Sequence, residues 1–457
     1  MGSLHHLTGA LVAASLSLSV NAQSPWQGLF LPGALINAQY VHCDTASHTV
    51  YYTGLNNLMG DFTNMPGSVL AWRNEQWDTI AYNQHGTLER LVMFHDTLIL
   101  EGASFIESDT VDGIAYFNGE HWVSFPDQPD DVQVQRFRVI DDTLYAAMTS
   151  GLVVRQPFFR LVNGHWEPFG FMPGLDYNIG ADIVKYAGAF YGTVVGGAEG
   201  NGVYRLEDTT WTSLGPEITG TGSSPSLLSV FQGDLYIGGY LQMNTGVPGQ
   251  GICRYDGENF FALGMGLQMA PGNNNSACGA VDMIAHGNYL FVSTGCDYIG
   301  GMYCPGIGAW DGSRWCTVEG VLVENNAGAW SMDFIGDTLY VGCGQTISGV
   351  DVGHAARFIG PDFADSCGTI TFVPLDETVQ ERTTLYPNPV SEVLSISFGG
   401  MHTHDVPLRI IDSRGVVRWI GQARPQDLDV RDWAKGVYQL VAPGRGGVTQ
   451  RLPFVVQ

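Results

Sequence analysis

The strongest constraint on the fold is a phrase that returns along the chain at a nearly constant interval. In each occurrence an aromatic residue or Leu stands five positions before a second aromatic residue, with polar residues between them. The first members of consecutive pairs lie 44 to 55 residues apart, a period that is typical of a repeat array. The pairs are Trp72/Trp77, Phe117/Trp122, Leu161/Trp166, Leu206/Trp211, Tyr255/Phe260, Trp310/Trp315 and Phe358/Phe363.

The residues between the two members of a pair indicate tight turns. Asn-Gly or Asp-Gly occurs at 118–119, 163–164, 256–257 and 311–312, which is the strongest short-range signal for a β-hairpin. A second strand-like phrase precedes the pairs, for example DTLYVGC at 337–343. Each repeat is therefore predicted to form about four short strands and leaves no room for a long helix.

Composition supports an all-β chain and excludes one class of partner. The 457 residues include 60 Gly and 11% aromatic residues, whereas only 14% are charged. This balance favours turn-rich β structure over helix. The formal net charge of −25 argues against a nucleic-acid partner, because such binding depends on Lys and Arg neutralising phosphates.

Seven repeats with about four strands each match the blades of a β-propeller. The phrases GDTLYVGC (336–343), QGDLYIGG (232–239) and GICRYDGENF (251–260) resemble those of kelch-like β-propellers. The resemblance covers residues 26 to 365 and implies a seven-bladed β-propeller. It does not imply a function, because propellers include both enzymes and binding modules.

Two segments compete for the outer strand that would close the last blade. Residues 26–40 are similar to the segment that follows the Trp of a repeat, such as WEPFGFMPG at 166–174. A leading segment of this kind can complete the last blade of a ring. Phe363 and the residues after it are the alternative.

Residues 1–22 are predicted to be a secretory signal peptide. An apolar run from Leu7 to Val20 ends at Val20-Asn21-Ala22, which is similar to a small-residue cleavage site. The mature protein is then expected to begin near Gln23. No other stretch is long and apolar enough to span a membrane as a helix.

The long connections of the predicted propeller all fall on one face of the disc. Short turns join first to second and third to fourth strands, so the remaining connections lie opposite them. Long loops on a rigid scaffold are where binding usually occurs. The residues predicted to bind a ligand on this long-loop face are Tyr240, Asn273, Asn274, Asn275, Asp297, Tyr298 and Tyr303.

Seven of the eight Cys residues lie in the second half of the chain, and an even number in an exported protein suggests disulfides. Cys278 and Cys296 flank one candidate strand pair, and Cys304 and Cys316 flank another. We therefore expect Cys278–Cys296 and Cys304–Cys316 links. No C-x₂-C or H-x₃-H spacing indicates a metal site.

After Gly360 the period fails and a second unit is predicted. Residues 367–382 are interpreted as a linker, and residues 383–457 as a small C-terminal β-sandwich. Its phrases are similar to the type A sorting domain of the type IX secretion system of Bacteroidota. This resemblance implies export through that system and rests on Tyr386, Pro387, Asn388, Pro389, Asp412, Gly415, Gly436 and Tyr438.

No catalytic constellation stands out, and no cofactor is expected. Acidic clusters at 127–131 and 141–142 offer carboxylates to Ca²⁺, but a solvated loop is the simpler interpretation. The leading hypothesis is an exported, non-enzymatic binding or adhesion module for protein or glycan, with residues 23–366 as the propeller. The alternative is an extracellular carbohydrate-active enzyme with its site at the central opening of the ring, where titratable groups would converge.

Overall fold

Strands account for the regular secondary structure, and the described residues contain no helix. Accordingly, the described part of the chain contains no helix long and apolar enough to cross a membrane. The computed structural model describes residues 24–30, 35–56, 67–82, 90–101, 105–106, 109–111, 113–129, 133–149, 156–173, 179–197, 200–215, 224–241, 250–269, 278–304, 306–318, 329–347, 350–360, 363–367, 383–386, 389–398, 407–412, 416–422, 426–443 and 449–457. The predicted signal peptide lies outside these residues.

Antiparallel groups of strands follow one another from Leu35 to Phe358, and the strands of each group pair in chain order. We label the groups A to G and call the first strand of each its inner strand. The strands are, for A, Leu35–Asp44, Thr49–Asn56, Gly67–Arg73 and Gln76–Tyr82; for B, Arg90–Phe94, Thr97–Glu101, Ile114–Phe117 and Trp122–Ser124; for C, Gln133–Ile140, Thr143–Thr149, Phe158–Val162 and His165–Pro168; for D, Ile179–Tyr186, Ala189–Gly197, Gly200–Glu207 and Thr210–Ser213; for E, Ser224–Phe231, Asp234–Tyr240, Ile252–Tyr255 and Phe260–Ala262; for F, Ala280–His286, Tyr289–Thr294, Gly306–Trp310 and Trp315–Val318; and for G, Ser331–Ile335, Thr338–Gly342 and Ala355–Phe358. A bridge between Thr149 and Ile179 joins C and D into one sheet.

The hairpins predicted from the aromatic pairs form in groups A to F. Trp72 lies opposite Trp77, for instance, with ring centroids 5.0 Å apart. In the turn of group C both central residues are left-handed, with φ of 52° at Asn163 and 82° at Gly164. Such a turn matches the right-handed twist of the strands, which is why Asn-Gly is favoured there.

The N-terminal segment closes the last group. Strand Trp26–Gly28 pairs antiparallel with the third strand of G and puts Trp26 opposite Phe358. The alternative segment, Phe363 and the residues after it, does not complete group G. Its strand Ala364–Cys367 instead pairs as a fifth strand of group F. Phe363 only packs against Phe358, at 5.0 Å between ring centroids, and is not its strand partner.

The groups form a closed circle. Each inner strand contacts the inner strand of the next group, and the inner strand of G contacts that of A. The core lies between neighbouring groups, as between C and D, where Phe158 packs on Trp211 at 4.5 Å between ring centroids. A circle of radially packed antiparallel sheets is the arrangement of a β-propeller.

The remaining strands are short additions and the C-terminal unit. The additions are Leu267–Gln268 with Tyr298–Ile299 and Met302–Tyr303, Phe105–Ile106 with Asp109–Thr110, and Thr346–Ile347 with Val350–Asp351. The C-terminal residues form two sheets whose side chains share one core. The first sheet contains Thr383–Tyr386, Val393–Phe398 and Gln426–Asp429, and the second Val417–Gln422, Pro407–Asp412, Gly436–Pro443 and Thr449–Val456.

Candidate site at the centre of the ring

Every inner strand contributes one residue, four positions before its end, to a common layer. In five of the inner strands a β-bulge directly precedes this residue. Bulges re-aim side chains and often lie beside functional sites. We call the set the axial layer; its members are Tyr40, Arg90, Arg136, Asp182, Leu227, Asp282 and Ser331.

One hydrogen-bonding pattern recurs between neighbouring inner strands at four junctions of the ring: D with E, F with G, G with A and A with B. A side chain of one inner strand accepts a hydrogen bond from a backbone N–H of the next inner strand. When the strands are aligned on their ends, the N–H belongs to the residue one position after the accepting residue. These bonds satisfy N–H groups that face the neighbouring group and lie outside its ladder. The pairs are Asp182 with Leu228 (2.9 Å), Asp282 with Met332 (2.8 Å), Ser331 with Val41 (3.2 Å), Asp333 with Cys43 (2.7 Å) and His42 with Met93 (3.0 Å).

Two arginines compensate the buried carboxylates. Arg138 donates from Nε and Nη2 to Asp182, both at 2.8 Å, in a bidentate pair. Arg136 donates from Nη1 to Asp282 at 3.1 Å, and its Nε lies 3.7 Å from Asp182. Because Arg136 and Asp282 belong to groups C and F, which are not neighbours, their contact crosses the centre of the ring.

Burial changes the pKa values of the groups at the centre. Burial raises the pKa of Asp333 to about 6, although hydrogen bonds from the backbone N–H groups of Cys43 and Phe334 act to lower this pKa. Burial lowers the pKa of His42 to about 4, so this ring is neutral at pH 7. For Arg136 burial disfavours the charged form, but Asp282 and Asp182 outweigh it and raise the pKa.

A polar pocket opens on one side of the contact between Arg136 and Asp282. Its volume is about 280 Å³, and it lies at the beginnings of the inner strands, where the connections between groups arrive. This end of the ring is the predicted long-loop face. Five members of the axial layer line the pocket, together with Val281 and Trp330; they are Tyr40, Arg90, Arg136, Asp282 and Ser331.

The predicted ligand-binding residues are partly brought together. Tyr298 and Tyr303 lie opposite each other in a hairpin, with ring centroids 5.6 Å apart, and Tyr303 is 60% exposed. Tyr240 is also exposed, and its backbone lies against Gly279. Asp297 accepts the N–H of Cys304 through its carbonyl oxygen, at 2.9 Å. Asn273, Asn274 and Asn275 lie outside the described residues.

One of the two expected disulfides is wrong. The structure contains Cys278–Cys296, which connects the start of group F to the tyrosine hairpin. The expected Cys304–Cys316 link is absent, since Cys316 bonds instead to Cys367 and Cys304 is a buried free thiol. Tertiary pairing explains the correction, because the fifth strand of group F brings Cys367 opposite Cys316.

The acidic clusters bind neighbouring side chains in the described residues. Asp127 contacts His165 at 3.0 Å, Asp142 contacts His95 at 2.8 Å, and Asp141 pairs with Lys185. The described residues bring one group of possible metal ligands together, Asp311 with Cys316 and Cys367. Its two sulfur atoms are joined in the disulfide and are therefore not thiolate ligands.

The sorting-motif residues are distributed over both C-terminal sheets. Tyr386 ends the first strand and Pro389 precedes Val390, whereas Pro387, Asn388 and Gly415 lie outside the described residues. Asp412 accepts hydrogen bonds from Val416 and Arg418. Gly436 begins a strand with φ of 154°, and the buried Tyr438 donates its hydroxyl to Ala434 at 2.7 Å.

Sequence reasoning missed the axial layer, although a signal for part of it exists. An acidic residue stands inside an otherwise apolar strand in ADIV (181–184), VDMI (281–284) and MDFI (332–335). The three phrases occupy the inner strands of groups D, F and G. Aligning the repeats on strand ends, rather than on the aromatic pairs, would have placed Asp182 and Asp282 at the same position, with Asp333 two positions further along its strand.

Comparison with family models identifies the C-terminal unit. Residues 384–452 match the model described as the secretion system C-terminal sorting domain. A search of curated proteins finds no match.

Solved structures that match this chain include PorZ of Porphyromonas gingivalis, an essential bacterial surface component of the type IX secretion system. The match has 13% identity and a TM-score of 0.45, and it covers 92% of this chain and 59% of that one. The extracellular domain of the putative hybrid two-component system BT3049 of B. thetaiotaomicron has 10% identity and a TM-score of 0.49, and the match covers 95% of this chain and 57% of that one. The β-propeller domain of the Trilobed protease from Pyrococcus furiosus has 10% identity and a TM-score of 0.43, over 72% and 100%. This chain thus spans a little over half the length of the first two.

A sorting domain of this kind directs its protein through the type IX machinery. The prediction of export made from the C-terminal phrases is therefore confirmed. The chain carries a type IX secretion sorting domain at residues 384–452, and it is secreted to the cell surface or the extracellular space.

Proposed function

We propose that groups A to G are the blades of a seven-bladed β-propeller, that residues 383–457 are a β-sandwich, and that residues after Cys367 link the two. The circle of inner-strand contacts and the pairing of Trp26–Gly28 with group G support the propeller. The shared core of the two C-terminal sheets supports the sandwich. The resemblance to kelch-like propellers remains a prediction from the repeat phrases.

The function that this geometry supports best is a non-enzymatic binding or adhesion module for protein or glycan outside the cell. One observation carries the proposal: the axial carboxylates are already engaged by backbone N–H groups and arginines. They hold neighbouring blades together, whereas the pocket beside them presents a cation, an aromatic ring and a hydroxyl at the surface of a rigid scaffold.

The test is a binding screen with the mature chain, immobilised and exposed to a glycan array and to labelled extracellular proteins. We expect a saturable ligand whose binding is lost when Trp330 or Tyr303 is replaced by Ala. The matched control is Phe171→Ala, which also removes an exposed aromatic ring. Absence of any ligand, or ligands that bind all three variants equally, would contradict the proposal.

The second candidate is a carbohydrate-active enzyme, and the raised pKa of Asp333 favours it. A carboxyl group with a pKa of about 6 is suited to proton transfer near neutral pH. Release of reducing sugar from extracellular polysaccharides by the wild-type chain, abolished in Asp333→Asn, would establish this alternative. Products formed equally by both proteins would indicate contamination, and no product would favour the binding module.

A further inference from the structure

The axial pocket contains one arginine, Arg90, that forms no ion pair with a carboxylate in the described part of the chain. Arg136 and Arg138 both contact carboxylates, whereas no described carboxylate pairs with Arg90. The Nε of Arg90 is buried and has no hydrogen-bond partner, and its guanidinium lies over the ring of Tyr40 at 5.1 Å. Arg90 also lines the pocket, so a ligand that supplies an anionic acceptor to its guanidinium is favoured at this position.

We propose that this pocket binds the carboxylate of an acidic sugar, with Arg90 as the residue that recognises it. The inference rests on the proposed binding function and adds the chemical class of the ligand. A guanidinium presents parallel N–H donors that match the two oxygens of a carboxylate. Its stacking on Tyr40 holds the donors in a fixed plane, which reduces the entropy lost on binding.

The other lining residues suit the hydroxylated body of a sugar. Ser331 accepts the N–H of Val41, so its own O–H is available to a ligand. The oxygens of Asp282 each accept one hydrogen bond and keep a second lone pair for sugar hydroxyls. Trp330 is 46% exposed at the mouth of the pocket, where its ring offers an apolar face.

Charge and size narrow the class further. Asp282 lines the same pocket and repels any anionic ligand, but it repels a doubly charged phosphate about twice as strongly as a carboxylate, whose single negative charge Arg90 balances. A volume of about 280 Å³ is at the small end for a ligand pocket, which suits one sugar residue at the end of a glycan. A peptide carboxylate would leave Asp282 and Ser331 without hydroxyl partners.

The test is calorimetric titration of the full mature chain with glucuronic acid, glucose and glucose 6-phosphate. We expect glucuronic acid to bind at least tenfold more tightly than the other two. Arg90→Gln should weaken the binding of glucuronic acid at least tenfold. Arg90→Lys should weaken it less, because Lys keeps the positive charge but lacks the parallel N–H donors of the guanidinium. The control is Arg73→Gln, which changes an exposed arginine and should bind as wild type.

The thermal unfolding midpoint of each variant shows whether it is folded. Two outcomes would overturn the assignment: equal binding of glucose and glucuronic acid, or unchanged binding in Arg90→Gln. Tighter binding of the phosphate would assign the pocket to phosphorylated ligands instead and also overturn it. If the glycan and protein screen finds a ligand that binds wild type and Arg90→Gln equally well, the proposed binding function is supported and only this inference is wrong.

Discussion

The carboxylate of Asp333 accepts a hydrogen bond from the backbone N–H of Cys43 at 2.7 Å, although 290 residues separate them in sequence. The bond joins the inner strands of the last and the first groups. Ser331 accepts a hydrogen bond from the N–H of Val41 in the same way, two residues earlier along each strand. The seam of the ring is therefore held by the same kind of side-chain bond that joins groups D and E, F and G, and A and B.

Closure of the ring should depend on Trp26. This residue is buried, lies opposite Phe358 and packs on its ring at 5.2 Å between centroids. Replacing a buried Trp by Ala costs about 3–5 kcal/mol, so Trp26→Ala should lower the unfolding midpoint in urea. Phe171→Ala, an exposed aromatic control, should change the free energy of unfolding by less than about 0.5 kcal/mol. Equal stability of the two variants would contradict the closing role of this strand.

The stability of the ring should show two opposing pH dependences. Asp333 has a folded-state pKa of about 6, above its ordinary value, so the folded state binds more protons than the unfolded one and stability falls as pH rises through about 4 to 6. His42 has a folded-state pKa of about 4, below its ordinary value, so the unfolded state binds more protons and stability rises from about pH 4 to 6.5.

Single variants should separate these two effects. Relative to wild type, Asp333→Asn removes the falling contribution, and His42→Gln removes the rising one while keeping an acceptor for Met93. Unfolding midpoints measured across this pH range should therefore slope upward in Asp333→Asn and downward in His42→Gln, relative to wild type. Profiles parallel to wild type in both variants would show that neither group titrates as assigned.

The carboxylate of Asp182 should matter far more than an exposed one. It is fully buried and pairs with the partly buried Arg138, so Asp182→Ala leaves the charge of Arg138 and the N–H of Leu228 without their partner and should cost about 3–5 kcal/mol. Asp78 pairs with Arg73 at the surface, and Asp78→Ala should cost less than about 1 kcal/mol. The free energies of unfolding of the two variants test the difference; similar losses would remove the case for a structural role of Asp182.

The two disulfides should differ in how much they contribute to the free energy of unfolding. The Cys316–Cys367 bond closes a loop of 51 residues and Cys278–Cys296 one of 18, for which loop-closure entropy gives about 4 and about 3 kcal/mol. Cys367→Ser should therefore lower stability somewhat more than Cys296→Ser. Peptide mapping without reduction checks the connectivity directly, and a linked Cys304–Cys316 peptide would contradict it. Four thiols should resist alkylation until the protein unfolds, because all four are buried.

Several features of this protein were predictable because they are local. The aromatic pair Trp72/Trp77 and the turn at Asn163 and Gly164 follow from strand alternation and turn chemistry, which depend on neighbouring residues alone. The sorting domain was predictable because its phrases are contiguous. The Cys278–Cys296 link also lies within one hairpin region, so short sequence separation indicated it.

The centre of the ring was decided only by the tertiary structure. Arg136 and Asp282 lie 146 residues apart and meet at 3.1 Å because the circle of groups turns both inner strands toward one axis. The strand that carries Cys367 joins group F for the same reason, by pairing at a sheet edge that no local pattern marks. Local sequence specifies which segments are strands, whereas closure of the ring determines which distant side chains share a pocket.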